Sequence, residues 1–498
     1  MIVVAALAAL IFQNLHDLEQ VVQRHPDAAN YRALADAYVR AEQYDRASAA
    51  FFKAGSLYAK LGDSNAARAL HTQGERYETK IDLFYERPLT DQTRKVNDTG
   101  ARLEPAYGCY VGAFIDREDA LDTGFIGNGQ SHKDPLAFDQ ATGKHHAVFF
   151  TYLSYGRPFP TRWIAALRRA GAAAQIAWEP RTVSSVRNDN SLRDFADECA
   201  ESHTPIFLRF AGEMNGDWTV YHGDPEAYKT MFRLVAKVMH ERAPNVAMVW
   251  CPNDIPENRI ADYYPGPESV DWVGVNFYSV IYNDGDRARG AEWRNPADSL
   301  RYVYETYSRL HPIMIGEWAA THRSSVDNVE RPDFAIDKIG QLYAALPRLY
   351  PRVKAVHWLS MNTIEHAMPG RRLNDFSLLD EPTVVAKYKE MVAPSYYLES
   401  VSSDPGQAAP IEYSPLTPGA TIGGKVKLSV VVKTYEQRPS VIWTVNGDPA
   451  SPKTEPGPYE VSVDTARLHA KEAIVSVAVK DSKGGLAGRR EVVVKVSP

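Results

Sequence analysis

The chain has 498 residues, of which 44% are hydrophobic, and carries a formal net charge of −6 with a pI near 6.2. This near balance, without a long basic run, argues against nucleic acid and anionic membranes as partners, and the length allows several domains with a large core. Three cysteines, Cys109, Cys199 and Cys251, are too few for a disulfide framework and lack metal-site spacing.

The N-terminal segment, residues 2–12, is apolar throughout. It is too short to span a bilayer but has the length of a signal-peptide core. No basic residue precedes it and no clean cleavage site follows it, so two interpretations stay open: a truncated signal or anchor, and a helix that packs on the next domain. On the first interpretation the protein is expected to be secreted, periplasmic or associated with the cell envelope.

Residues 14–85 have the apolar spacing of helices, and residues 41–47 and 61–67 are two matching helix-to-helix turns. This region resembles tetratricopeptide-type (TPR-like) helical hairpins, although it is too short for a full array. It is expected either to bind a protein partner or to cap the following domain. Residues 86–104 are polar and contain turn formers, which predicts a linker.

From residue 105 to residue 398, short apolar runs alternate with helical stretches. Eight runs are strand candidates: Gly108–Ile115, His146–Leu153, Ala173–Trp178, Pro205–Phe210, Val246–Trp250, Val270–Tyr278, Pro312–Ile315 and Val353–Leu359. Eight strands, mostly separated by helices, predict an α/β fold of the (β/α)8 TIM-barrel type. In such barrels the chemistry lies at the carboxyl ends of the strands.

Residues 399–415 are hydrophilic and predict a second linker, and residues 416–498 contain short alternating strands separated by turns. Trp443 lies in a strand like the central tryptophan strand of an immunoglobulin-like β-sandwich, although no cysteine pair supports an antibody-type domain. This stretch resembles the bacterial Ig-like modules often attached to extracellular enzymes.

Two of the predicted barrel strands lead directly into a glutamate and a tryptophan. Glu213 follows the fourth strand and Glu317 the seventh, and eight of the nine tryptophans lie between Trp163 and Trp358. Flat aromatic side chains suit the stacking of sugar rings. Retaining glycoside cleavage requires one carboxyl group to protonate the leaving oxygen and a second, roughly 5–5.5 Å away, to attack the anomeric carbon. The pattern therefore predicts a sugar-cleaving site at the barrel rim.

Six segments, in the same order along the chain, are similar to glycoside hydrolase family 26, the β-mannanase family. They are Trp178–Pro180, Phe207–Trp218, Trp250–Asn253, Asp271–Tyr278, Ile315–Trp318 and His357–Trp358. The resemblance covers residues 105–395 and leaves the two flanking regions unassigned. It implies that Glu213 is the acid/base and that Glu317 is the nucleophile.

The resemblance also implies roles for groups around the two carboxylates. Tyr278 is expected to hydrogen-bond the nucleophile and fix its rotamer. Trp218 and Trp358 are expected to present their faces to sugar rings, with Trp358 as the floor of the cleavage subsite. Asn215 belongs to the same substrate-binding set.

Arg209 lies four residues before Glu213, and the alternation of a strand places both on the same side of the barrel interior. Its guanidinium is expected to keep nearby carboxylates ionised and oriented, and a structural ion pair within the barrel is the alternative. One position departs from the family pattern. Members usually carry histidine immediately before the acid/base glutamate, whereas Gly212 stands there in this chain. The absence of the imidazole bears on which sugar is recognised, whereas both carboxylates needed for hydrolysis are present.

The sequence thus predicts a glycoside hydrolase that cleaves a β-linked polysaccharide with retention, endo-β-1,4-mannanase-like in the first instance, without a metal or cofactor. A family 26-like β-glucanase or β-1,3-xylanase is a further alternative. The alternative of another class is a non-catalytic glycan-binding or exopolysaccharide-assembly protein on the same scaffold. Gly212 and the helical region favour this alternative, and the presence of Glu213, Glu317 and Tyr278 together argues against it.

Overall fold

The computed structural model of the protein describes residues 15–127, 129–402, 406–436, 439–450, 457 and 459–497. The apolar segment at residues 2–12 lies outside them. By its internal contacts the chain divides into two compact units, residues 1–86 together with 414–498, and residues 87–413. Among the described residues, no helix is both long enough and apolar enough to cross a membrane.

The first unit begins with the predicted helices, which are confirmed. They are α1 (15–24), α2 (Ala28–Arg40), α3 (Tyr44–Lys60) and α4 (Ser64–Tyr77). Asp27 and Asp63 cap α2 and α4, because each carboxylate accepts a hydrogen bond from a backbone N–H of the first turn. The helices end earlier than predicted, since β1 (Lys80–Pro88) follows them as an extended strand. The resemblance to TPR-like hairpins stays a prediction.

The second unit is a closed barrel of eight parallel strands, as predicted. The barrel strands are β2 (Cys109–Arg117), β5 (Val148–Ser154), β6 (Ala173–Glu179), β7 (Ile206–Phe210), β8 (Val246–Trp250), β9 (Trp272–Asn276), β10 (Ile313–Trp318) and β12 (Val353–Met361). Consecutive barrel strands pair in order, and the pairing of β12 with β2 closes the barrel. The short strands of this unit are β3 (Thr123–Gly127), β4 (Gln130–Lys133), β11 (Arg323–Ser324), β13 (Asn374–Asp375) and β14 (Tyr397–Leu398).

Helices alternate with the barrel strands. They are α5 (Asp91–Asn97), α6 (Pro135–Thr142), α7 (Thr161–Ala170), α8 (Asn190–Glu201), α9 (Pro225–Arg242), α10 (Arg301–Tyr307), α11 (Pro332–Leu349), α12 (Thr363–His366) and α13 (Pro382–Val392). An aspartate cap followed by proline begins both α6 and α9, a combination that satisfies one free N–H and supplies the helical φ angle. Helix α5 lies within the stretch predicted as a linker.

The chain then forms the C-terminal strands. They are β15 (Ile411–Pro415), β16 (Thr421–Gly423), β17 (Lys425–Lys433), β18 (Ser440–Val445), β19 (Asp448–Ala450), β20 (Tyr459–Asp464), β21 (Glu472–Lys480) and β22 (Leu486–Ser497). Strand β17 pairs antiparallel with both β1 and β20, and β16, β22, β21, β18 and β19 form a second sheet in that order. Trp443 is fully buried in the core of these sheets, which are consistent with a β-sandwich. The Ig-like identity stays a prediction.

The barrel interior is filled according to the two-residue alternation of the strands. Trp272 of β9 belongs to the inner cluster of buried side chains, whereas Val273 and Val275 belong to the outer cluster. Gly274 faces inward, and a Cβ atom there would lie 2.6 Å from the Sγ atom of Cys251. The interior at this level is therefore too narrow for a side chain at position 274.

Replacing Gly274 with alanine is expected to lower the free energy of unfolding of the barrel by about 1–3 kcal/mol, because the new methyl group overpacks the interior. Gly290→Ala is the matched control, since a Cβ atom there meets nothing within 4 Å. Denaturant unfolding followed by tryptophan fluorescence measures both. Equal stability of the two variants would contradict the described packing.

Candidate active site

A buried ion pair lies at the carboxyl end of the barrel. The Arg209 side chain is 2% exposed and that of Glu317 is 6% exposed, and the guanidinium Nη2 of Arg209 donates to Oε1 of Glu317. Burial alone would lower the pKa of Arg209, but the charge of Glu317 outweighs it and holds the pKa well above its ordinary value. The guanidinium is therefore charged, and the predicted inward direction of Arg209 is confirmed.

Glu317 reaches the interior through an irregularity in β10. The register of β10 against β9 shifts between Ile315 and Glu317, and such a bulge changes the direction of the side chains that follow. Gly316 also faces inward, where a Cβ atom would lie 2.6 Å from Oδ1 of Asn276. Because of the bulge, two consecutive residues, Gly316 and Glu317, face the interior.

Two tyrosines complete the hydrogen bonding of Glu317. The Tyr278 hydroxyl donates to Oε2, which is the contact predicted from the sequence, and the Tyr152 hydroxyl donates to Oε1 at 2.6 Å. Desolvation and the neighbouring charge of Glu317 raise the pKa of both tyrosines, so both stay protonated as donors. Tyr152 was not predicted as a site residue. It lies two residues after Phe150 on β5, so the alternation of the strand could have placed both on the same side.

Glu213 lies in a strained loop directly after β7. Ala211 has a φ of 49° and Glu213 a φ of 58°, in the left-handed region that residues other than glycine seldom adopt. The N–H of Glu213 donates to the carbonyl of Cys251 at 2.8 Å. Such strain persists only where the surroundings fix it, and this is a common feature of functional sites.

The Glu213 carboxylate is half-buried and accepts three hydrogen bonds from neutral donors. Asn276 Nδ2 and Asn253 Nδ2 donate to Oε1 at 2.9 and 3.2 Å, and Trp218 Nε1 donates to Oε2 at 2.7 Å. Asn276 also accepts a hydrogen bond from Arg209 Nη1 through its Oδ1 atom, at 3.3 Å. A single network therefore joins the two glutamates, through Asn276 and Arg209.

Trp218 borders the site as an exposed aromatic side chain, 38% accessible. Its indole lies on Gly216, where a Cβ atom would collide with the ring. The position fits the predicted contact with a sugar ring. The glycine in the motif is needed because the indole that bonds Glu213 occupies the space where a side chain at position 216 would lie.

Two of the predicted substrate-binding residues do not line the site. Asn215 is fully buried, and its side-chain amide donates to the carbonyl of Asn253 at 2.9 Å and accepts from the N–H of Asn253 at 3.0 Å. Asn215 therefore holds the loop after β8 and does not contact substrate. The physical reason is that its short side chain is engaged with the backbone of Asn253 and Pro256.

Trp358 is also fully buried, so its prediction as the floor of the cleavage subsite is wrong. Its Nε1 donates to the carbonyl of Phe376 at 3.1 Å, and its ring packs edge-on against Trp318 at 5.0 Å. His357 takes the inward position, close to Gly112. The alternation of β12 then directs Trp358 to the helix layer, where it contacts Tyr388.

A third carboxyl group, that of Glu179, lies near Glu213 and Glu317. It was not assigned a role from the sequence. Glu179 ends β6, and its Oε2 lies 2.5 Å from the hydroxyl oxygen of Tyr221. Burial raises the pKa of Glu179 to about 7, although Arg209 and the Tyr221 hydroxyl lower it. The available signal was the position of this glutamate at a strand end, within a segment already recognised as similar to the family.

Among the described residues, no cluster of histidine, cysteine, aspartate and glutamate is suited to holding a metal ion. All three cysteines are buried and free, and burial raises the pKa of the Cys251 thiol beside the site well above its ordinary value. Glu213 and Glu317 offer acid–base and nucleophilic chemistry by carboxyl groups. None of its thiols is exposed to a substrate.

Comparison with known proteins bears on this site. Residues 186–291 match the model of glycosyl hydrolase family 26, so the resemblance seen in the sequence is confirmed over a segment that contains Glu213. A β-1,3-xylanase from a Vibrio species is 29% identical over 121 residues, which are 23% of this chain and 25% of the relative. A β-1,3-xylanase from an Alcaligenes species is 27% identical over 121 residues, with the same two coverages.

The chain thus matches a quarter of the length of these curated relatives. Among solved structures, a modular endo-β-1,4-mannanase from Cellulomonas fimi is similar at 16% identity and a TM-score of 0.42, over 82% of this chain and 98% of that chain. At that TM-score the likeness carries no information about the reaction.

The raised pKa of Glu179 has a consequence for stability. The folded state binds the Glu179 proton up to about pH 7, whereas an unfolded glutamate releases it near 4.5. The folded state therefore binds more protons between these values, and stability falls as the pH rises through this window. Relative to Glu179→Gln, the wild type is expected to lose about 2–3 kcal/mol of unfolding free energy between pH 4.5 and pH 7. The steepest loss is about 1.4 kcal/mol per pH unit.

Unfolding free energies of the wild type and Glu179→Gln across this range measure the difference. Glu257→Gln, which makes the same chemical change at an exposed position after β8, is the control and should follow the wild type at every pH. A constant difference between wild type and Glu179→Gln would show that Glu179 has an ordinary pKa.

Proposed function

We propose that this barrel, part of which matches glycosyl hydrolase family 26, is a retaining glycoside hydrolase that cleaves a β-linked polysaccharide. The observation that carries the proposal is the contrast between two glutamates at one barrel rim. Glu317 is buried against a cation, and Glu213 is half-buried among neutral donors. Retaining hydrolysis requires such a division of roles between two carboxyl groups.

Glu317 is proposed as the nucleophile. It accepts hydrogen bonds from Arg209, Tyr152 and Tyr278, and these three donors hold the side chain in one rotamer. A carboxylate held in one position is what attack on an anomeric carbon needs.

Glu213 is proposed as the acid/base. It contacts neutral N–H donors, and Arg209 is engaged with Glu317 and Asn276. In the first step its proton passes to the leaving glycosidic oxygen while Glu317 bonds to the anomeric carbon. In the second step Glu213 takes a proton from water, whose oxygen replaces Glu317 at that carbon. Trp218 and the two asparagines hold the carboxyl group towards the cleft in both steps.

The substrate proposal is a β-linked polysaccharide, with β-1,3-xylan first and β-1,4-mannan second on the test panel. The names of the curated relatives support β-1,3-xylan. Gly212, where the family usually carries histidine, weakens the earlier preference for mannan. Polysaccharides of this kind are met outside the cytoplasm, which supports the proposal of a secreted, periplasmic or envelope-associated enzyme.

The roles of the two glutamates separate by leaving group. Glu213→Ala should hardly slow glycosylation by a dinitrophenyl glycoside, whose leaving group needs no proton, and should slow polysaccharide cleavage by roughly 10²–10⁴-fold. With the activated substrate, azide should restore turnover because it attacks the glycosyl-enzyme without a base. Glu317→Ala should fail with both substrates.

Glu257→Ala serves as the matched control on the barrel surface and should behave like the wild type. Equal losses of Glu213→Ala on both substrates, with no effect of azide, would refute the assigned roles. Binding of a glycan by the wild type without any turnover across the panel would support the non-catalytic glycan-binding alternative.

A further inference from the structure

Two backbone carbonyls in the strained loop before Glu213 are held by tyrosine hydroxyls. Tyr228 donates to the carbonyl of Ala211 at 3.1 Å, and the Tyr221 hydroxyl lies 2.7 Å from the carbonyl of Gly212. Both tyrosines are buried. The left-handed backbone on either side of Gly212 is costly, so these contacts help to keep Glu213 in its position.

The Tyr221 hydroxyl has a second neighbour, because its oxygen also lies 2.5 Å from Oε2 of Glu179. A phenol carries one proton and cannot donate it to both the Glu179 carboxyl and the Gly212 carbonyl. If Glu179 is ionised, one of these two acceptors loses its donor. If Glu179 carries a proton on Oε2, that proton is donated to Tyr221, and Tyr221 donates to Gly212. Only protonated Glu179 gives a donor to every acceptor in this hydrogen-bond chain from Glu179 through Tyr221 to Gly212.

We propose that Glu179 is a positioning residue for the acid/base Glu213, acting in its protonated form through Tyr221 on the carbonyl of Gly212. The catalytic consequence of this inference rests on the proposed function. The proton-dependent hydrogen-bond chain from Glu179 to Gly212 does not depend on it. Loss of the proton draws the Tyr221 hydroxyl towards the Glu179 carboxylate. The Gly212 carbonyl then loses its donor, and the strained loop loses one of its anchors.

The charged and titratable groups around Glu179 support this assignment. They are Arg209 on β7, Glu213 in the next loop, Tyr221, Tyr228 on α9, Cys251 after β8 and Glu317 on β10. Arg209 favours ionisation of Glu179 but is already paired with Glu317, and the two glutamates oppose a third negative charge. Burial adds to this opposition and raises the pKa of Glu179 to about 7.

The hydrogen-bond chain from Glu179 to Gly212 can be tested on the free protein, without any substrate. Labelling with carbonyl-¹³C glycine and ¹⁵N glutamate selects Gly–Glu peptide bonds, of which the sequence has three: Gly74–Glu75, Gly212–Glu213 and Gly316–Glu317. The carbonyl shift of Gly212 should titrate with a midpoint near pH 7. The Gly74–Glu75 signal, from α4, is the internal control and should not change at that pH.

Two variants identify the group that titrates. In Glu179→Gln the amide donates to Tyr221 at every pH, so the Gly212 signal should stay at the low-pH position of the wild type. In Tyr221→Phe it should stay at the high-pH position, because the donor is gone. A midpoint near 4.5, the ordinary value for glutamate, or the same titration in Glu179→Gln, would overturn the proposal.

The catalytic consequence is tested by the ratio of kcat/KM in Glu179→Gln to that in the wild type, on a polysaccharide the enzyme cleaves. Taking the ratio removes the pH effects that the two proteins share. The ratio should rise by about tenfold between pH 6 and pH 8, the change in the protonated fraction of a group with a pKa of about 7. A ratio that does not change with pH would show that the hydrogen-bond chain does not position Glu213. Absence of turnover in the wild type would refute the proposed function and leave the carbonyl titration as the deciding result.

Discussion

The site depends on the buried ion pair between Arg209 and Glu317. Removing two charges from water costs several kcal/mol per ion, and attraction offsets this only if the remaining donors and acceptors are also satisfied. Here Tyr152 and Tyr278 bond the carboxylate, and Asn276 accepts from the guanidinium. Gly316 leaves the space that this arrangement needs. The interior near the carboxyl end of the barrel is thus occupied by one cation and the groups that bond it or its partner.

The same cation links the two halves of the proposed chemistry. Asn276 accepts from Arg209 and donates to Glu213, so the position of one glutamate is coupled to the other through two side chains. The strained loop after β7 is fixed independently, by the Cys251 carbonyl and by two tyrosine hydroxyls. These backbone hydrogen bonds hold the strained loop, and with it Glu213, in one position. A fixed position suits a group that must exchange a proton twice in each turnover.

Much of this organisation could be predicted from the sequence. Apolar runs separated by helices located all eight barrel strands, since barrel strands are buried on both faces and give a strong local signal. The positions of Glu213 and Glu317 followed from strand ends, and the Tyr278 contact followed from the resemblance to the family. Glu179 and Tyr221 were missed because their contact depends on the tertiary approach of separate segments. Strand β1 was missed because its partner β17 is remote in sequence. Trp358 and Asn215 were assigned wrongly, because the direction of a side chain depends on strand phase and on loop hydrogen bonds that a motif does not reveal.

The central claim is that Glu317 attacks the anomeric carbon while Glu213 supplies and later removes the proton. The stereochemistry of the product tests it most directly, because two successive displacements retain the configuration and a single displacement by water inverts it. Proton NMR of the first turnovers on a β-linked substrate distinguishes the two anomers before mutarotation mixes them. The account predicts that the β anomer forms first. Initial formation of the α anomer would contradict it.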